Sequence, residues 1–130
     1  MNSIALEDLH AKDLHIYVED GSEPDSIRLY FKGMLYLEDP ARDLLPYLRK
    51  FERAVVHHGV KRVNLNLVGL DLMSSSSLRI LIAFFKDIDQ LKPEEKYRVH
   101  ICYAARVTWQ AAQLPMLSTL QPDLITLEAL

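Results

Sequence analysis

The apolar residues of this chain change their spacing several times between Leu14 and Leu127, and the order of those changes limits what it can fold into. Leu14 to Glu19 alternates apolar and polar and ends in the turn pair Asp20-Gly21. Ser26 to Lys32 alternates again, with Ile27, Leu29 and Phe31 on one face. Two strands joined by Asp20–Asp25 read as a hairpin with a longer loop. Leu44, Leu48, Phe51 and Val55 then recur at helical spacing, and Gly59 is the expected stop after His58. Asp39-Pro40 suits a cap followed by Pro at the first helical position. A helix begun there would enclose Pro46, which costs about 3 kcal/mol in a helix interior. A start at Asp43 leaves Pro46 in the first turn, so the regular helix is placed there, with a turn before it.

Arg62 to Leu67 sets Val63, Leu65 and Leu67 against Asn64 and Asn66, a strand that Leu70–Met73 extends or ends. Leu78, Leu81, Ile82, Phe85 and Ile88 return to the helical period, and Pro93 closes that helix. Tyr97–Tyr103 is a further strand, Val107–Leu114 a short helix and Leu124–Leu127 a last strand. Residues 1–13 show no clear period and read as a loose arm or short helix. Strand–helix alternation after an opening hairpin implies an α/β domain with a mixed, mostly parallel sheet and right-handed crossovers. With so few short helices, they should lie mainly on one face.

Length and composition suit a single domain over 1–130: 130 residues, 49% of them hydrophobic, can bury a core without a metal or disulfide. With 15 basic against 18 acidic residues, nucleic-acid binding is not expected, because it depends on a surplus of Lys and Arg. Cys102 is the sole cysteine, so neither an internal disulfide nor a cysteine-cluster zinc site can form within one chain. The N-terminus has no basic start, and no apolar run approaches the ~20 residues of a membrane helix. The expected location is the cytoplasm, without membrane insertion.

Four consecutive serines, Ser74–Ser77, stand immediately before an apolar helical repeat. One serine there is an N-cap; four do not follow from capping. Phosphorylation is the sharper reading, since a phosphate at a helix N-terminus faces free N–H groups and the positive end of the dipole. Arg79 is mildly disfavoured so early in a helix unless an anion sits nearby. Other candidates are weaker. His57 and His58 point about 100° apart on a helix and make poor joint ligands. His100 and Cys102 share a strand face, but such a pair without further ligands reads as core filler. Trp109 reads as packing. None of the common hydrolase, metalloprotease, dinucleotide or P-loop motifs occurs.

Val60–Leu67, followed by Gly69-Leu70-Asp71-Leu72-Met73-Ser74-Ser75-Ser76-Ser77-Leu78, resembles the STAS domain of bacterial anti-sigma factor antagonists. There a strand ends in a hydrophobic-Asp-Ser-Ser-Gly-Leu turn that opens a helix. Ser74 takes the Asp position and Ser77 the Gly position; Gly33 also lies where that family tends to have a Gly. A sub-branch is similar in lacking both Asp and Gly: biofilm regulatory phosphoproteins that control a diguanylate cyclase. Tyr36-Leu37-Glu38-Asp39-Pro40 and Pro46 look like its segment before the first helix. In both branches the phosphorylated residue falls on Ser75, with Ser76 its neighbour and rival.

The resemblance implies a non-catalytic phospho-switch that takes no cofactor. Ser74, Ser75, Ser76, Ser77 and Arg79 would form its partner-binding surface. The implied partners are a serine/threonine protein kinase or anti-sigma factor, a PP2C-type phosphatase and a diguanylate cyclase, and homodimer formation is left open. Competing classes are a STAS-type accessory subunit of a membrane transporter and a small serine hydrolase.

Overall fold

In the computed structural model, which describes residues 2–130, the alternating segments pair as one seven-stranded mixed sheet. The strands are β1 (Leu9–Ala11), β2 (Leu14–Asp20), β3 (Ser26–Leu35), β4 (Arg62–Asn66), β5 (Leu70–Met73), β6 (Arg98–Tyr103) and β7 (Ile125–Ala129). The helices are α1 (Pro40–Asp43), α2 (Leu45–His57), α3 (Ser75–Asp89), α4 (Thr108–Gln113) and α5 (Pro115–Leu120). Strand order is β1-β2-β3-β4-β6-β7. β2 is antiparallel to both β1 and β3; β3-β4, β4-β6 and β6-β7 are parallel. No helix among the described residues is long and apolar enough to cross a membrane.

Three expectations are corrected. The segment before Leu14 contains a strand, β1, which the hairpin of β2 extends in register Leu9↔Ile16. Leu70–Met73 does not prolong β4. It is a separate strand that pairs parallel with the end of β3. The third correction concerns helix starts. Asp39 caps the single turn α1, accepting from the Arg42 N–H at 3.2 Å, with Pro40 at its first position. A second start follows at Leu45, with Pro46 in the first turn of α2. Each proline thus occupies a first turn: the turn expected before the regular helix is a capped helical turn, and the regular helix starts two residues later than Asp43. α2 ends as Gly59 predicts: Gly59, at φ +68°, and Val60 donate to the carbonyls of Val56 and Val55.

Gly33 sits inside β3, which runs three residues beyond the expected end at Lys32. Its φ is +95°, and a Cβ there would collide with the Asp13 carbonyl. The irregularity at Gly33/Met34 lets β3 exchange one neighbour for another: residues up to Tyr30 pair with β4, those from Gly33 on with β5.

Burial alternates along every central strand. Ile16, Val18, Leu29, Phe31, Val63, Leu65, Val99 and Ile101 face the helices and are buried. Leu48, Phe51 and Val55 of α2 and Leu81, Phe84, Phe85 and Ile88 of α3 cover them. Between those helices the Phe51 and Phe84 rings meet edge-on at 6.3 Å. The other face carries His15, Tyr17, Arg28, Tyr30, Asn64, Asn66, His100 and Cys102, all half-exposed. The helices therefore lie mainly on one face of the sheet, as expected from so few short helices.

Candidate functional site

The serine run is divided by the geometry of one helix start. Ser74 is the N-cap of α3, with an extended backbone. Its Oγ accepts the Ser77 N–H at 3.2 Å and lies 2.8 Å from the Ser77 Oγ. Ser77 is fully buried, so it belongs to the cap and offers no surface to a partner. The Ser74 N–H donates to the Leu35 carbonyl at 2.9 Å, tying the cap to the end of β3.

Ser75 and Ser76, the first two residues of α3, are exposed. Ser76 Oγ lies 3.3 Å from Ser74 Oγ, whereas the Ser75 hydroxyl takes no part in this network. Arg79 is exposed and lies four residues after Ser75 and three after Ser76, the spacings that place side chains side by side on a helix. Leu78, beside it, is buried.

Two side chains of α4 hold the approach to this turn, and only one of them was singled out in the sequence. Buried Gln110 donates to the carbonyls of Leu67 (2.7 Å) and Leu70 (2.8 Å) and accepts the Ala104 N–H at 2.7 Å. Trp109 donates from Nε1 to the Asp71 carbonyl at 2.9 Å, so it fastens β5 as well as packing. A glutamine amid apolar helical residues carries no sequence signal for this, because two of its three partners, Leu67 and Leu70, lie 43 and 40 residues earlier in the chain.

Next to the turn lies an exposed apolar patch. Met34 pairs with Leu72 across β3 and β5, and Met34, Tyr36 and Leu72 are 40%, 65% and 41% exposed. With Lys12 and Asp13 they line a shallow cleft of about 360 Å³. Leu72 is two residues from the Ser74 cap, so it joins the patch to the exposed serines and Arg79, while Met34 reaches it by pairing across β3 and β5.

The histidines lie elsewhere. His57 and His58 end α2, with His58 Nδ1 2.9 Å from the Ala54 carbonyl. His10 and His15 stack across β1 and β2, and His15 Nε2 is 3.0 Å from Asp8 Oδ2. His100 and Cys102 are not core filler. They stand half-exposed on the sheet face opposite the helices, and β7 brings Glu128 to them. Burial, then the charge of Glu128, pushes the Cys102 thiol above its ordinary range. None of the histidines hydrogen-bonds the serine turn among the described residues.

No protein-family model matches the chain significantly, and no curated protein sequence does. Solved structures do. An anti-sigma factor antagonist from Mycobacterium paratuberculosis aligns at 21% identity and TM-score 0.57, over 88% of each chain. SiaC, crystallised as the activator in complex with the diguanylate cyclase SiaD from Pseudomonas aeruginosa, aligns at 13% identity and TM-score 0.64, over 95% of this chain and 99% of that one. The fold is therefore STAS-like, the fold of both resembled branches.

Proposed function

We propose that this chain is a non-catalytic signalling protein whose binding to a regulatory partner is switched by phosphorylation of Ser75. One observation carries the reading: capping consumes Ser74 and Ser77, leaving Ser75 exposed and its hydroxyl unengaged among the described residues, one helical turn from Arg79. A phosphate on Ser75 gains the free N–H groups and positive end of α3 and lies beside a guanidinium. The fold thus tolerates a dianion at this point. A partner surface seated on Met34, Tyr36 and Leu72 does not, because one guanidinium leaves part of the phosphate's charge of about −2 unbalanced, and that charge would be desolvated in the interface. The likeness to an anti-sigma factor antagonist and to a cyclase activator supports a partner-binding role of this kind. The partner proposed is a diguanylate cyclase or an anti-sigma factor with kinase activity, with a PP2C-type phosphatase to reset the switch in the cytoplasm.

The test is capture of partners from the source cell by wild type, Ser75→Ala and Ser75→Asp chains, with the captured proteins identified by mass spectrometry. The reading requires a cyclase or anti-sigma factor held by wild type and Ser75→Ala and lost by a folded Ser75→Asp. Equal capture by all three contradicts it, as does substrate hydrolysis abolished by Ser75→Ala. Co-purification with a transporter regardless of charge at Ser75 contradicts it as well.

A further inference from the structure

On the sheet face that the helices leave open, the registers of β4, β6 and β7 align two rows of side chains. Asn64, His100 and Thr126 form one row, and Asn66, Cys102 and Glu128 the next. His100 Nδ1 lies 2.6 Å from Thr126 Oγ1, and His100 Nε2 lies 2.9 Å from Glu128 Oε1. The ligand atoms of His100, Cys102 and Glu128 all fall within 4.8 Å of one another. They line a cleft of about 260 Å³ that includes Arg28, Tyr30, Asn64 and Asn66.

We infer that His100, Cys102 and Glu128 form a binding site for a zinc ion. An imidazole, a thiolate and a carboxylate are the donor types zinc takes, and three protein ligands leave its fourth position to water. The Nε2–H donated to Glu128 holds a proton on the line between nitrogen and carboxylate, where the cation would sit. Tetrahedral coordination at ordinary zinc–ligand distances separates N and O by roughly 3.3–3.5 Å, so that pair opens slightly while Cys102 Sγ moves in. Thr126 is the outer partner: with zinc on Nε2, the ring carries its proton on Nδ1 and donates it to Thr126 Oγ1. Coordination releases the Cys102 thiol proton to solvent. The thiolate and carboxylate together balance the two charges of the ion. That matters beside Arg98, two residues along the same strand face, and Arg28, which lies two strands away, about 10 Å.

The site is independent of the serine turn, and its test uses the full chain freed of metal by chelation. Zn²⁺ is titrated against a chromophoric chelator, and Co²⁺ is added as a spectroscopic substitute. The expected result is one Zn²⁺ per chain and a thiolate-to-cobalt charge-transfer band in the near ultraviolet. Cys102→Ser removes the band. Thr126→Val keeps the ligands but weakens Zn²⁺ binding about 10–100-fold, as loss of an outer partner does. Glu128→Gln weakens binding, and the double variant His10→Ala/His15→Ala leaves band and affinity unchanged. Absence of the band in the wild-type chain overturns the assignment. So does one metal per two chains, which indicates thiolates from separate copies. Binding lost with His10 and His15 but retained in Cys102→Ser also overturns it, placing the metal at Asp8, His10 and His15.

Discussion

At the scale of residues, four serines that look alike in the sequence have different work. Ser74→Ala removes the cap of α3 and is expected to cost about 1 kcal/mol, whereas Ser75→Ala should stay within about 0.5 kcal/mol. Denaturant unfolding of the two variants checks this, and equal costs would contradict the division of the run. Ser75→Asp should fold normally with an unchanged or slightly raised Tm, since an acid at a helix N-terminus contributes roughly 0.3–1 kcal/mol. The same register separates the next pair. Arg79→Ala should change stability by less than about 0.5 kcal/mol, and Leu78→Ala, in the core, should cost about 2–5 kcal/mol. A harmless Leu78→Ala would mean that α3 is rotated from the orientation described. Gln110→Ala strips three buried backbone groups of their partner and should cost about 2–5 kcal/mol.

At the scale of elements, what could be read from the sequence follows from how local each signal is. The alternation in Leu14–Glu19, Arg62–Leu67 and Tyr97–Tyr103 and the period from Leu78 to Ile88 reflect burial of one face, so those strands and α3 were legible. β1 was not, because Leu9–Ala11 is a three-residue edge strand whose pairing depends on β2. α5 was missed because Pro115 looks like a terminator, yet it occupies the first turn of a new helix. β5 changes neighbour through Gly33, which is 37 residues earlier in the chain than Leu70. Nor does a linear pattern show that Glu128 reaches His100 and Cys102. The α2–α3 contact carries its own prediction. Glu52 is half-buried; burial, then the charge of Asp87, holds its carboxyl above the ordinary value, and its Oε1 has no partner among the described residues. The folded chain therefore keeps this proton longer than the unfolded chain does. Its stabilising contribution is present below the ordinary glutamate range and is lost as pH rises through the raised value. Glu52→Gln should raise Tm at pH 7 more than at pH 4. An equal difference at both would show that the carboxyl ionises as freely as in the unfolded chain.

At the scale of the whole molecule, one sheet separates two kinds of surface. Helices α2 and α3 cover one face and form the core with it. The open face carries His100, Cys102 and Glu128, and the ends of β3 and β5 carry an apolar patch beside the start of α3. Ser75 is exposed and outside the core, so the proposed phosphate there would change what the molecule binds and not whether it folds. The most direct measurement is intact mass and phosphosite mapping of the chain isolated from its own cell under several growth conditions. The account predicts a population carrying a single phosphate on Ser75. Phosphate found only on Ser74 or Ser77, or on no serine of the run under any condition, would contradict it.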